Sequence, residues 1–174
     1  MRQVVFSLGS NLEREQHIRF AVCELEKAFG ELLVSPVYET VAVGFDGPDF
    51  FNLVVVVQSN LSLKRIRSTI QSIEKRAGRI REGKSFASRN LDIDVLLFGQ
   101  ENLRDEGFNV PRDEIDHAAY VLKPLADVLP EGQHPISGER FSVLWQAFKD
   151  DAQSLQQVEF ELTLCKVSSG NDAT

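Results

Sequence analysis

The run Leu53-Val54-Val55-Val56-Val57, inside the stretch Phe50 to Gln58, constrains the fold more than any other feature of the chain. A strand with one face in water alternates apolar and polar residues, whereas this run is apolar throughout. A strand of this kind is covered on both faces, so other segments must supply two apolar layers. Helical spacing supplies them. From Glu13 to Phe29 the residues Ile18, Ala21, Val22, Leu25, Ala28 and Phe29 share a face, with Ser10 or Asn11 as the expected N-cap and Gly30 as the C-cap. From Ser62 to Ala77 a second face carries Ile66, Ile70, Ile73 and Ala77, and Gly78 ends it. Tyr120-Val121-Leu122 and Phe141 to Phe148 read as further helices for the opposite layer.

Residues 3 to 8 (QVVFSL) and 91 to 98 (LDIDVLLF) are strand-like, and residues 31 to 40 (ELLVSPVYET) form an extended segment that Pro36 bends or confines to an edge. The order strand, helix, strand, strand, helix, strand is that of a ferredoxin-like βαββαβ sheet with two helices on one face. The expected fold class is therefore α+β in three layers, α/β/α, with the additional helices covering the second face. Residues 1–150 are expected to make a single domain. Residues 151–174 are expected to be a C-terminal extension with one late strand, where Val158, Phe160, Leu162 and Leu164 alternate with polar residues, and a frayed end.

A net charge of -7 argues against a nucleic-acid partner engaged through phosphate neutralisation. No apolar run has the length of a membrane span, and the first residues run straight into strand-like sequence, so a cytoplasmic protein without membrane contact is expected. No CxxC or HxxxH spacing exists among Cys23, Cys165, His17, His117 and His134, which leaves a structural zinc site without ligands.

The chemistry concentrates at Asp92 and Asp94. Positions two apart on a strand share a face, so these carboxylates project side by side from otherwise apolar sequence. Two like charges in a core strand repel and are costly to bury, and a hard divalent cation would offset that cost. A surface pair at a strand end is the alternative on the pattern alone. Arg76, Arg79, Arg81, Lys84 and Arg89 then fall within fourteen residues directly before the pair. Guanidinium groups match phosphate oxygens, so a polyphosphate with a metal explains the meeting of basic loop and acidic strand better than a solvated loop does. Phe45 and Phe86 lie in polar loops, where stacking on a flat heterocycle would give an apolar side chain a purpose, and Asn52 could read an amide-like edge. No P-loop or Rossmann glycine pattern is present.

The stretches SLGSNL (7 to 12), PDFFN (48 to 52), IEKRAGRIR (73 to 81), SRNLDIDVLLFG (88 to 99), VP (110 to 111) and YVLKPLADVLP (120 to 130) resemble, in order and spacing, the 6-hydroxymethyl-7,8-dihydropterin pyrophosphokinases. The resemblance implies transfer of the β,γ-diphosphate of ATP to the hydroxymethyl group of 6-hydroxymethyl-7,8-dihydropterin, with release of AMP, in folate biosynthesis. It implies that Asp92 and Asp94 bind two Mg2+ ions and act in catalysis with Arg79 and Arg89. Gln71, Glu74, Arg79, Arg81, Arg89, Val95 and Arg112 would lie on the ATP side. Thr40, Val41, Val43, Phe50, Asn52, Phe86 and Tyr120 would line the pterin pocket. ATP and the pterin are the implied partners, and a monomer is expected, with the C-terminal tail as the place where an oligomer would form.

The chain departs from the common family pattern at several places. Ser85 replaces a basic residue, Phe86 a tryptophan, Arg112 a histidine, Ala118 an arginine and Tyr120 a phenylalanine. A relative with another pterin-like alcohol as acceptor, and a non-catalytic binding module on the same fold, are the alternatives that these departures leave open.

Overall fold

The computed structural model describes residues 1–42, 46–78, 91–150 and 153–162. The elements run β1 (Arg2–Ser10), α1 (Arg14–Phe29), β2 (Leu33–Val34), β3 (Val37–Thr40), β4 (Phe50–Ser59), α2 (Leu63–Arg76), β5 (Asp92–Phe98), α3 (Glu114–His117), α4 (Ala119–Val128), α5 (Phe141–Ala147) and β6 (Gln156–Val158). The strands form one sheet in the order β5-β1-β4-β3-β6, all neighbours antiparallel, with β2 also paired to β4. With β2 and β3 read as one interrupted strand, β5-β1-β4-β3 is the ferredoxin-like arrangement that the element order implied.

The apolar run in β4 is covered from both sides, as its composition requires. Leu53, Val55 and Val57 enter a core with Ile18, Val22 and Leu25 of α1 and with Ile66, Ile70 and Ile73 of α2. Val54 and Val56 enter a second core with Ile115, Leu122, Leu125 and Phe141, carried by α3, α4 and α5. At about 25 cal/mol per Å2 of apolar surface removed from water, a strand buried on both faces gains roughly twice what a half-exposed one does.

Three local differences from the sequence reading have physical causes. The segment 31 to 40 is two strands, because Ser35-Pro36 interrupts it. There the Ser35 Oγ accepts the Val54 N–H at 2.9 Å while the Ser35 N–H bonds the Val54 carbonyl at 2.9 Å, so β4 keeps its partners across the break. Neither Ser10 nor Asn11 caps α1. Glu13 holds that position with φ 44°, while buried Asn11 donates instead to the Pro48 carbonyl at 3.2 Å. The late strand lies at Gln156–Val158, earlier than the alternation suggested, and Phe160 beyond it packs against the first core. Gly30, with φ 86° and its N–H on the Glu26 carbonyl, ends α1 where only glycine accepts that conformation without strain.

One irregularity shapes the site. The β1–β5 register shifts between Val5 and Phe6, so Leu96 has no partner opposite it. This bulge puts both Leu96 and Leu97 in the second core, while Val95 and Phe98 face the first. The Leu96 carbonyl accepts the Arg112 N–H at 3.0 Å, which docks the segment after Pro111 against the strand.

Candidate active site

The register aligns four residues across four strands. Asp92 of β5 stands opposite Gly9 of β1, Gly9 opposite Asn52 of β4, and Asn52 opposite Tyr38 of β3. Directly opposed residues of antiparallel strands share a face. Tyr38 identifies that face as the one under α4, since its hydroxyl donates to Asp127 Oδ2 at 2.5 Å. Asp94, two residues on, lies one row further along the same face, opposite Ser7. The two carboxylates thus do project together, at one end of a row whose other end carries Asn52.

Gly9 makes the middle of this row low. A Cβ there would lie 3.4 Å from Asn52 Oδ1 and 4.0 Å from Phe50 Cδ1, so the missing side chain leaves a floor between the acidic end and the amide end. Asn52 is 7% exposed, and its Nδ2 donates to Thr40 Oγ1 at 2.8 Å. That bond fixes which way the amide faces and leaves its oxygen over Gly9. Phe50 and Thr40 stand opposite each other on the same face, both half-buried.

The acidic end is electrostatically unbalanced. Arg112 donates from Nη1 to Asp94 Oδ1 at 3.1 Å and from Nε to Glu114 Oε2 at 3.0 Å, with a further bond from Nη2 to Glu114 Oε1. Even so, burial and the neighbouring Asp92 push the Asp94 carboxyl up to about 7; Arg112 pulls against them, and Glu114 and Glu74 add to the rise. One guanidinium does not offset burial together with three other carboxylates. Among the described residues no group of three or more His, Cys, Asp or Glu converges as a closed metal cage. Two adjacent carboxylates in a site short of positive charge are what a cation completed by phosphates and water needs, so the residues fit a hard dication.

The other residues singled out in the sequence fall into three groups. Tyr120, in the first turn of α4, belongs with the site: burial raises its phenol pKa, and Glu114, Asp94 and Asp92 add to the rise against Arg112. Glu74, 4% exposed, holds the edge of the site: its Oε1 accepts the Ile93 N–H at 2.9 Å, between the two aspartates, on the free side of the edge strand β5. Gln71 is exposed on α2, Val95 faces the first core, and Val41 is 66% exposed, so the structure does not bring these side chains to the row. Val43, Arg79, Arg81, Phe86 and Arg89 lie outside the described residues.

Two residues went unread in the sequence. Glu114 was signalled only by its i, i+2 relation to Arg112, and its bidentate grip fixes the guanidinium beside Asp94. Tyr38 sits in an edge segment whose sequence gives no sign that α4 covers it.

Residues 5–130 match the family model described as 7,8-dihydro-6-hydroxymethylpterin-pyrophosphokinase (HPPK). The chain is similar to the 2-amino-4-hydroxy-6-hydroxymethyldihydropteridine pyrophosphokinase of Bacillus subtilis, 36% identical over 126 residues that cover 70% of this chain and 75% of the relative. It is similar to the enzyme of the same name from Pseudomonas aeruginosa, 36% identical over 143 residues, 77% of this chain and 88% of the relative. Among solved structures it resembles Plasmodium falciparum HPPK-DHPS with pteroate, with a TM-score of 0.65 and 16% identity. That likeness covers 84% of this chain but only 42% of the solved one, and it speaks for the fold alone.

Proposed function

The chain belongs to the 7,8-dihydro-6-hydroxymethylpterin-pyrophosphokinase family, and from that premise we propose that Asp92 and Asp94 hold the Mg2+ on which its reaction depends. The reaction is pyrophosphoryl transfer: the β,γ-diphosphate of ATP passes to the hydroxymethyl group of 6-hydroxymethyl-7,8-dihydropterin in folate biosynthesis, and AMP leaves. The observation that carries the metal assignment is the placement of Asp92 and Asp94 on one strand face, two positions apart on β5, with Arg112 on Asp94; the raised Asp94 carboxyl agrees with it.

Transfer of this kind depends on positioning and on charge neutralisation more than on a protein nucleophile. Asp92 and Asp94 would hold a hard dication, which would supply charge neutralisation for the phosphate oxygens; two such ions are our reading for this site. Arg112 keeps Asp94 oriented through the Nη1 bond, and Glu114 keeps Arg112 there. Arg79, Arg81 and Arg89 supply cationic contacts to the nucleotide. Gln71 stands at the nucleotide's outer edge, and Glu74 fixes the strand edge that carries the pair. The pterin lies over Gly9 with its ring edge donating to the Asn52 oxygen, between Phe50, Thr40 and Tyr120; Val43 and Phe86 are assigned to pterin binding by the family resemblance. This placement points the hydroxymethyl group from the amide end of the row toward the acidic end. The protein acts as a monomer in the cytoplasm, with residues 1–150 as the catalytic unit.

Incubation with ATP, Mg2+ and the pterin alcohol tests the reading. AMP and the pterin diphosphate are expected, with turnover abolished by EDTA and restored by excess Mg2+. ADP as the product, or turnover indifferent to EDTA, sinks it.

A further inference from the structure

The segment 153–162 follows the last residue matched by the family model, yet it is tied to both walls of the acceptor half of the site. The first tie is at α4. The N-cap of that helix is Ala118, which has no side chain able to accept a helix N–H. The Ala119 N–H donates instead to Oε1 of Gln153, 34 residues away, at 2.7 Å. The same amide donates from Nε2 to the His117 carbonyl at 2.9 Å and to Asp150 Oδ2 at 2.6 Å. Gln153 therefore brackets the α3–α4 junction from both sides, one residue before Tyr120. It also bridges the segment carrying Glu114 to the helix carrying Tyr120.

The second tie is at the sheet. β6 pairs with β3 as Val37↔Val158, Tyr38↔Gln157 and Glu39↔Gln156, beside the strand that carries Thr40 and Tyr38. Phe160 then meets Phe51 edge-on at 5.6 Å between ring centroids, and Arg19 lies 4.4 Å over the Phe160 ring. Phe51 is the chain neighbour of both Phe50 and Asn52. None of these contacts reaches Asp92 or Asp94. They bear on the α4 wall and the β3–β4 wall, which are the pterin side.

We propose that residues 153–162 are a strap that holds the acceptor pocket in shape, and that Gln153 is a positioning residue acting through the first turn of α4 on Tyr120. The proposal rests on the reading above, in which Tyr120 and Asn52 face the pterin. β6 backs the Asn52 wall by pairing with β3, the strand that carries Thr40, whereas Gln153 reaches the Tyr120 wall through the Ala119 N–H, so the two walls are set by different parts of the strap. A loss at Gln153 should loosen only the Tyr120 wall.

The test uses the full-length chain and Gln153→Ala, with Gln156→Ala, an exposed position on the same strap, as control. Gln153→Ala loses three side-chain hydrogen bonds, two of them to the backbone at the α3–α4 junction, and should raise KM for the pterin roughly 5- to 10-fold, with kcat and KM for ATP within about twofold. In a Tyr120→Ala background the same substitution should add little, because the two changes remove one interaction. The control should match wild type throughout. Equal shifts in both KM values, an additive effect with Tyr120→Ala, or no change in pterin KM overturns the proposal. Amide hydrogen exchange gives an answer that does not depend on turnover: residues 119–122 should exchange faster in Gln153→Ala while β1 and β5 keep wild-type protection. If wild type fails to use the pterin at all, the assigned reaction falls, but the exchange result still decides the strap. Unchanged protection at 119–122 removes it.

Discussion

Replacing Asp94 by Asn keeps the size of the side chain and an oxygen for the Arg112 bond, but removes the charge that the fold accommodates least well. Burial and Asp92 raise this carboxyl from its ordinary 3.8 to about 7. At 1.36 kcal/mol per pKa unit the ceiling on its cost to the native state is about 4 kcal/mol. The side chain is 32% exposed, so solvent screening brings the expected cost down to about 1–2 kcal/mol. The sign follows from linkage. A carboxyl with a raised native pKa contributes stability that is fully present below 3.8 and is lost as pH rises to about 7. Asp94→Asn should therefore be more stable than wild type by about 1–2 kcal/mol at pH 8 in EDTA, and the gain should shrink steadily as pH falls from 7 toward 4. Urea unfolding at several pH values, which adds no salt screening, measures this directly. Adding Mg2+ and ATP should then stabilise wild type and leave the variant almost unmoved, with turnover in the variant nearly gone. A variant equally or less stable at pH 8, or a difference that does not change with pH, refutes the claim that Asp94 is held at an electrostatic cost for the sake of a cation.

Asn52→Ala removes the amide oxygen over Gly9 and the Thr40 contact, so pterin affinity should drop by about 1–3 kcal/mol, or roughly 5- to 150-fold, by equilibrium titration, with ATP binding intact. Gly9→Val places branched carbons where a Cβ already meets Asn52 Oδ1 at 3.4 Å; the protein should fold, and pterin binding should be lost before ATP binding is. His134 is 2% exposed, its Nδ1 accepts the Ile136 and Ser137 N–H groups, and burial holds its pKa below the ordinary 6.5. Protonation thus opposes folding, and stability should fall as pH drops below 6.5. His134→Asn, whose oxygen can accept in place of Nδ1, should flatten that fall in thermal melts between pH 7 and 5; a slope equal to wild type would remove His134 as its source.

Much of the site was legible because strand periodicity is a local property. The i, i+2 spacing of Asp92 and Asp94 put both on one face whatever the rest of the chain did. Asn52 was readable as a polar residue in an apolar strand, and the helical faces of α1 and α2 followed from spacing alone. The misplaced late strand failed for the complementary reason: alternation at 158 to 164 shows where a strand could pair, while the edge of β3 shows where it does, at Gln156–Val158. The N-cap of α1 failed similarly, because Asn11 finds a better partner in the Pro48 carbonyl, 37 positions on.

Sequence by itself determined the element order, the two-sided burial of β4 and the carboxylate pair, since each rests on residues a few positions apart. Only the tertiary structure decided the row from Asp92 across Gly9 to Asn52, because that row depends on register between three strands. It also decided that Glu114 clamps Arg112 beside Asp94 and that Gln153 supplies the cap which Ala118 lacks. The Arg112–Asp94 and Ala119–Gln153 bonds join residues 18 and 34 positions apart, and no local pattern encodes a hydrogen bond that only chain closure brings within reach.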